Sequence, residues 1–293
     1  MNALLVALTS PSDLDRWCAN LGIPVHEGRE RFAGVVILAC IASHPLLGRG
    51  VAFKGGNALR FFYQSPRSTS DLDFSALNSA IPDDESQLRT ILDAALLRSA
   101  QKFNVKTKCQ KVKRNPKENG NRTHPTYSVT VGYQFAWDRY FLNFESRPMP
   151  QVLRVEISLS DVVCECEVKT LQDGETVGLN VCTICDIVAE KLRSLLQQPI
   201  RHRHRRQDVY DIARIVRNFG SQLDKTQIKN FLLAKSHARN IDPKQSSFDG
   251  TIRGMAEEEY ALRIKEQAGD HFIPFDEAWK DVESLVASLG LPS

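Results

Sequence analysis

Two aspartates separated by one residue, Asp71 and Asp73, are the side chains of this sequence best suited to chemistry. Residues 70–74 alternate polar and apolar types, which predicts a β-strand with both carboxylates on one face. Two neighbouring carboxylates repel each other unless a cation lies between them, and Mg²⁺ prefers a few carboxylates together with substrate phosphates. The pair alone is weak evidence, because a solvent-exposed strand face shows the same alternation.

A glycine pair, Gly55 and Gly56, precedes these aspartates by about fifteen residues. It follows a short apolar strand, residues 50–53, and Lys54, and it leads into a helix predicted to begin at Asn57. Glycines let a backbone approach a phosphate closely, and the free N–H groups of a first helical turn favour an anion. A simple glycine turn explains the glycines but not their pairing with the aspartates downstream.

A third carboxylate, Glu156, lies on another predicted strand. Across residues 153–159 the odd-numbered positions are apolar and take one face, while Arg154, Glu156 and Ser158 take the other. From a polar sheet face Glu156 could accept a proton from an attacking hydroxyl or complete a metal site. The alternative is an ordinary exposed glutamate.

Two predicted helices add Lys191 and a pair of acids. Lys191 lies at the edge of an apolar stripe, where its stem can pack and its ammonium can reach a site, although such a lysine is normally a surface residue. Asp208 and Asp211 are i, i+3 neighbours at a helix start. The alternative is that the helix dipole stabilises acids in the first helical turn, which explains Asp208 better than Asp211.

The elements that must position these residues change in character near residue 180. Before it the sequence predicts helices over 11–20, 28–43 and 84–100 and further strands near 103–113, 126–135, 151–159 and 161–170. After it the segments are helical: 184–197, 207–219, 224–237 and others to 289. We therefore expect an α+β domain at residues 1–180 and a helical C-terminal domain at residues 181–293.

Composition excludes several classes of protein. With 42% hydrophobic residues among 293, the chain can bury a core, so disorder is excluded. The longest apolar run, residues 32–47, contains Pro45 and is shorter than the roughly 20 residues of a membrane span. No signal-peptide pattern is present at the start, so we expect a cytoplasmic protein that does not cross a membrane.

The net charge of +3 is the sum of two strongly basic segments and an acidic remainder. Residues 101–125 contain eight Lys or Arg residues and a single acid, Glu118. A second basic run holds four arginines within residues 201–206. Basic segments on an otherwise acidic body favour contact with a nucleic-acid backbone, and the alternative is a solvated charged loop.

Seven cysteines, an odd number without a regular framework, favour reduced thiols over structural disulfides. Cys164, Cys166, Cys182 and Cys185 have a spacing that could in principle hold zinc. They fall in a predicted strand and at a helix start, and free cysteine is among the residue types most often buried. We therefore predict no zinc site.

Five motifs in this order resemble the AbiEii-type nucleotidyltransferase toxins of type IV toxin–antitoxin systems, which include the mycobacterial MenT enzymes. The resemblance covers about residues 30–220. The matching segments are Lys54-Gly55-Gly56-Asn57-Ala58-Leu59, Arg67-Ser68-Thr69-Ser70-Asp71-Leu72-Asp73-Phe74, Glu156-Ile157-Ser158, Ala189-Glu190-Lys191-Leu192 and Arg206-Gln207-Asp208-Val209-Tyr210-Asp211-Ile212.

This resemblance implies a DNA-polymerase-β-like fold with a mixed sheet, in which Asp71 and Asp73 hold Mg²⁺ in a two-metal site. It further implies that Lys191 contacts the triphosphate and that Asp211 is needed for activity. A third carboxylate such as Glu156 is used by only some members of the superfamily. The nucleotide would bind at Lys54, Gly55, Gly56, Asn57, Arg67, Thr69 and Lys191.

Asn57 departs from the family pattern, which has Thr or Ser after the glycines. A carboxamide can still donate a hydrogen bond to a phosphate oxygen through its NH₂ group. We therefore expect the function to be kept, with a changed nucleotide preference.

By resemblance, the chain would transfer a nucleoside monophosphate from an NTP to the 3′ end of tRNA, which blocks aminoacylation and bacterial growth as in abortive infection. An antitoxin, commonly a winged-helix protein, would restrain it. The alternatives are transfer to a small molecule such as an aminoglycoside and a non-catalytic binding module. The residues predicted to contact RNA are Lys106, Lys108, Lys111, Lys113, Arg114, Arg203, Arg205 and Arg206.

Overall fold

The computed structural model of the chain describes residues 6–77, 81–116, 124–171 and 178–292. The chain forms two compact units: Met1–Asn57, Ser70–Asp161 and Glu167–Val181 make the first, and Ala58–Thr69, Val162–Cys166 and Cys182–Ser293 make the second. The predicted turn at Asn119 and Gly120 and the basic residues Lys117 and Arg122 lie outside the described residues. Each unit therefore collects segments that are distant in the sequence.

A seven-stranded mixed sheet is the main element of the first unit, with the strand order β3-β4-β5-β2-β1-β7-β6. β1 pairs antiparallel with β2 and parallel with β7, β5 pairs parallel with β2, and β4 pairs antiparallel with β3 and β5. The predicted α+β class with a mixed sheet is confirmed. The strands are β1 (Val51–Lys54), β2 (Leu72–Ala76), β3 (Val105–Asn115), β4 (Thr126–Phe135), β5 (Val152–Ser158), β6 (Cys166–Thr170) and β7 (Gly178–Cys182).

Two strand predictions need correction. The strand predicted over 161–170 forms only from Cys166 onward, so Cys164 precedes it. A further strand, β7, was not predicted from the sequence. Its place in the sheet comes from parallel pairing with β1, where Phe53 lies opposite Val181.

Three helices of the first unit pack against strands of the sheet: α2 (Val25–Ser43), α5 (Glu85–Leu96) and α6 (Ser99–Phe103). α2 is buried along residues 32–41, because it packs on the face that carries Leu72 and Leu153. The described helices here are α1 (Pro11–Leu21), α2 (Val25–Ser43), α3 (Leu47–Gly50), α4 (Gly55–Phe62), α5 (Glu85–Leu96) and α6 (Ser99–Phe103). Among the described helices, none combines the length and the hydrophobicity that crossing a bilayer requires.

The second unit is helical after residue 182, as predicted. Thr183 caps the first of these helices by accepting a hydrogen bond from the backbone N–H of Asp186. Buried residues such as Leu192, Tyr210 and Trp279 form its core. The helices are α7 (Ile184–Leu196), α8 (Gln198–Arg201), α9 (Arg206–Phe219), α10 (Lys225–His237), α11 (Gly250–Glu257), α12 (Tyr260–Ala268) and α13 (Phe275–Ser288).

Candidate active site

Three adjacent strands of the first unit place a lysine and two carboxylates in one row. Lys54 on β1 lies opposite Asp73 on β2, and Asp73 lies opposite Glu156 on β5. Directly paired residues share a face of the sheet. Asp73 and Glu156 therefore share one face of the sheet. Asp71 lies just before β2, two residues before Asp73, and its place on the same face stays a prediction.

The row lies on the open face of the sheet. Phe53, Phe74 and Ile157, each next in sequence to a member of the row, are buried on the other face. Glu156 is exposed, and Asp71 and Asp73 are half-buried. A ligand can thus reach the carboxylates, while the apolar face beneath them holds the strands rigidly in place.

Gly55 makes room for the carboxylate of Asp73. Its φ is +73°, a left-handed conformation that residues with a Cβ rarely adopt, and a Cβ at this position would lie 2.3 Å from Asp73 Oδ2. The glycine motif therefore allows a close approach, and in this structure the approaching group is the chain's own carboxylate at the start of α4.

Asn57 and Lys54 also have partners within the first unit. Asn57 is 4% exposed, and its Nδ2 donates a hydrogen bond of 2.8 Å to the backbone carbonyl of Asp71. Lys54 forms an ion pair with Asp161. The carboxamide of Asn57 thus holds the backbone just before β2, so it positions Asp71.

A buried ionic cluster lies in the second unit. The guanidinium of Arg67 donates two hydrogen bonds of 2.9 Å to the two carboxylate oxygens of Asp211. The ammonium of Lys191 donates to Asp208 at 2.8 Å and to Asp211 at 2.7 Å. The side chain of Asp211 is 0% exposed, and those of Lys191 and Arg67 are 8% exposed. We call these four residues the ionic cluster.

The ion pairs of the cluster oppose the effect of burial on the pKa values of Asp211 and Lys191. Burial alone would raise the pKa of Asp211, but Arg67 and Lys191 outweigh it and hold that pKa at about 2. Burial alone would lower the pKa of Lys191, but the charges of Asp208 and Asp211 outweigh it and raise the pKa. Asp211 is therefore a carboxylate and Lys191 an ammonium at neutral pH.

Gly56 and Thr69 are the remaining residues predicted for nucleotide binding. Gly56 lies in the first turn of α4, and Thr69 is half-buried at the end of a segment that belongs to the second unit. Within the described ranges, no group of three or more His, Cys, Asp or Glu side chains is arranged to hold a metal ion.

Sequence reasoning missed two residues that serve these groups. Asp161, which pairs with Lys54, follows β5, and only its position as an acid just beyond a polar strand face could have indicated it. Gln267 of α12 accepts a hydrogen bond of 3.3 Å from Nη1 of Arg67. Nothing in the local pattern around Gln267 connects it to Arg67, 200 residues away.

Several of the basic residues predicted to contact RNA are engaged within the chain. Lys106 donates to the carbonyl of Phe141, and Lys108 donates to the carbonyls of Glu145 and Arg147. Arg114 binds the carboxylate of Asp83 through Nε at 2.6 Å and Nη2 at 3.0 Å. These side chains hold local structure.

Arg206 of the second unit is also engaged, since it donates to the carbonyl of Glu258 and lies 3.6 Å from the carboxylate of Glu259. Arg203 is exposed and Arg205 is half-buried. Lys111 and Lys113 of the first unit are exposed. The exposed members remain the predicted contacts that are open to a ligand.

The chain matches the sequence profile of the nucleotidyl transferase AbiEii toxins of type IV toxin–antitoxin systems over residues 36–283. Among solved structures, JHP933 from Helicobacter pylori is similar at 16% identity and a TM-score of 0.48, covering 87% of each chain. MenT4, a nucleotidyltransferase toxin from Mycobacterium tuberculosis, is similar at 15% identity and a TM-score of 0.46, covering 98% of this chain and 100% of that one. No curated protein matches in sequence.

Proposed function

The chain belongs to the AbiEii family of nucleotidyl transferase toxins, and we propose that it transfers a nucleoside monophosphate from an NTP to the 3′ end of tRNA, which blocks aminoacylation and growth. Membership makes the chain a nucleotidyltransferase and implies an antitoxin partner. The observation that carries the proposal is the row of carboxylates on the open sheet face, with Asp73 directly opposite Glu156.

The carboxylates suit a divalent metal. Asp71 and Asp73 are two residues apart in an extended segment, so they would point the same way, and the absent Cβ of Gly55 makes room for the carboxylate of Asp73. Hard oxygen ligands of this kind, completed by phosphate oxygens, are what Mg²⁺ prefers. Asp71 and Asp73 would hold Mg²⁺, in a two-metal site. Bound there, it would neutralise charge on the transferred phosphoryl group.

The chain's own residues orient and activate the reactants. Glu156 is exposed beside Asp73 and would accept the proton of the attacking hydroxyl. Asn57 holds the carbonyl of Asp71 and so keeps the strand start in position. We assign Glu156 the general base and Asn57 a positioning role at the nucleotide-binding turn that includes Lys54, Gly55 and Gly56.

Lys191 keeps the contact with the triphosphate that the family resemblance implies. An ammonium has three N–H donors, and two of them are directed at Asp208 and Asp211, which leaves one for a phosphate oxygen. Asp211 would support activity by orienting Lys191. Arg67 and Thr69 complete the proposed nucleotide-binding set.

The proposal also names tRNA as the acceptor and an antitoxin as the protein partner. The exposed basic residues Lys111, Lys113 and Arg203 support an RNA acceptor. A tRNA acceptor places the activity in the cytoplasm, and the antitoxin would be a winged-helix protein.

Labelled transfer tests the proposal. The protein is incubated with Mg²⁺, total tRNA and each of the four α-³²P NTPs in turn, and we expect labelled tRNA with at least one NTP. Asp71→Asn and Asp73→Asn should each abolish labelling, while Asp15→Asn, which changes an exposed acid of α1, should not. A labelled small molecule would favour the aminoglycoside alternative, and no label with any acceptor would favour a binding module.

A further inference from the structure

Four lysines of β3 share the open face of the sheet with the catalytic carboxylates. Lys113 lies opposite Ser128 of β4, which lies opposite Glu156 of β5, which lies opposite Asp73 of β2. One line of directly paired residues therefore crosses the sheet from Lys113 to Asp73. Lys106, Lys108 and Lys111 lie on the same face, opposite Gln134, Gly132 and Thr130.

The loop between β4 and β5 removes two of these lysines from the exposed surface. It folds back over the face, where Lys106 lies 4.4 Å from the ring centre of Phe141 and Lys108 lies 4.7 Å from that of Phe144. Both ammonium groups also donate to backbone carbonyls of the loop. Only Lys111 and Lys113 of β3 remain exposed on this face.

Arg154 extends this exposed set towards the aspartates. It lies on β5 opposite Thr130, which lies opposite Lys111, and its side chain is exposed. Leu72 pairs with Val155. If this parallel register is extended by one residue beyond the start of β2, Asp71 lies next to Arg154.

Within the described part of the chain, no hydrogen bond or ion pair engages the side chains of Lys111, Lys113 or Arg154. Three such cations on one sheet face attract a polyanion.

We propose that Lys113, Lys111 and Arg154 bind successive parts of the acceptor's phosphodiester backbone and lead its 3′ end to Asp71. The proposal rests on the proposed function, because it assumes an RNA acceptor. Strand spacing of about 4.8 Å puts Lys111 about 10 Å from Arg154, and Arg154 about 5 Å from Asp71. The planar fork of an arginine suits two oxygens of one phosphate, and the lysines act as point charges. We call these three residues the acceptor track.

The phosphates that the acceptor track binds could belong to the NTP or to the RNA acceptor. The length of the track favours the RNA acceptor. From Asp73 to Lys113 the line crosses three strand spacings, about 14 Å, which is longer than a triphosphate chain bound at the aspartates. A single-stranded RNA end can span this distance.

Salt-dependent binding tests the track without nucleotide present. A labelled single-stranded RNA oligonucleotide and total tRNA are titrated with wild type, with a triple variant (Lys111→Gln, Lys113→Gln and Arg154→Gln) and with Arg16→Gln as a control. Arg16 belongs to the same unit, and its side chain is 73% exposed. The triple variant should reduce the slope of log affinity against log salt by about 2, at about 0.7 for each lost contact, and Arg16→Gln should not change it.

Between 50 and 200 mM salt, this slope difference means that wild type loses about 20-fold more affinity than the triple variant. A triple variant that carries Arg154→Lys in place of Arg154→Gln keeps the charge at this position. Its slope should be steeper than that of the original triple variant by about 0.7, the contribution of one phosphate contact. Equal slopes for wild type and the triple variant would overturn the track.

A second arm separates the two phosphate sources. If Arg154→Gln raises the KM for NTP about tenfold and leaves RNA affinity and its salt slope unchanged, Arg154 serves the nucleotide and the track is refuted. Because binding is measured without NTP, a wild type that binds RNA through these residues but transfers no label contradicts only the proposed function.

Discussion

Replacing Asp211 by Asn tests whether the ionic cluster stabilises the second unit. The substitution keeps the shape of the side chain but removes one of two carboxylates that serve two buried cations. Arg67 then loses the anion that it binds with two hydrogen bonds, and Lys191 keeps only Asp208. Leaving a buried charge without its partner lowers the free energy of unfolding by about 3–5 kcal/mol.

The pH dependence of this effect can be derived from the depressed pKa of Asp211. That pKa is about 2 in the folded protein, against an ordinary value of 3.8, so the stabilisation is complete above about pH 4. It is lost as the pH falls through about 2, where folded and unfolded chains both bind the proton. At about 1.4 kcal/mol for each pH unit of depression, the loss is about 2 kcal/mol.

Urea denaturation followed by circular dichroism measures both quantities. At pH 7 we expect Asp211→Asn to unfold with a free energy lower by about 3–5 kcal/mol, and this gap should narrow by about 2 kcal/mol between pH 4 and pH 2. Arg217→Met is the matched control, because Arg217 pairs with Asp281 and Glu277 at 38% exposure. It should lower stability by at most about 1 kcal/mol.

Two results would refute this reasoning. The first is an Asp211→Asn variant within about 1 kcal/mol of wild type at pH 7, which would mean that the cluster contributes little to stability. The second is a gap that stays constant from pH 7 to pH 2, since the depressed pKa would then not belong to Asp211.

Two further substitutions test the turn at Gly55 and its neighbour Asn57, and a third tests the interior of α11. Gly55→Ala forces a Cβ into a left-handed conformation beside Asp73; we expect about 1–2 kcal/mol of destabilisation and a fall in kcat, checked by urea denaturation and labelled transfer. Asn57→Ala removes the hydrogen bond to the carbonyl of Asp71 and should raise the Mg²⁺ concentration for half-maximal transfer; an unchanged Mg²⁺ titration would contradict the positioning role. Gly254 lies inside α11, and among the described residues no atom lies within 4 Å of a Cβ added there. Gly254→Ala should therefore raise the free energy of unfolding by up to about 1 kcal/mol. A lower free energy of unfolding would contradict this prediction.

Local patterns predicted the elements that carry the site because those patterns depend on short-range periodicity. Alternation over 70–74 placed Asp71 and Asp73 on one face, and alternation over 151–159 placed Glu156 on the polar side of its strand, with Arg154 beside it. The strand predicted at 126–135 has the observed bounds.

Local periodicity did not predict the partners of these residues. Basic composition suggested RNA contact for all the lysines of β3, but the loop after β4 engages Lys106 and Lys108 through carbonyls 35 to 39 residues away. Asn57 was expected to face a phosphate, and it holds the carbonyl of Asp71. Such hydrogen bonds depend on which distant segments of the chain the tertiary structure brings together.

The sequence by itself determined which residue types are available and which side of each strand or helix they occupy. The tertiary structure alone decided that Asp73 lies opposite Glu156, because strand register is set by long-range pairing and not by alternation. It also decided that Arg67, only four residues before Asp71, joins Asp211 in the second unit. A buried guanidinium needs a carboxylate partner, and helix packing brings one from 144 residues further along the chain.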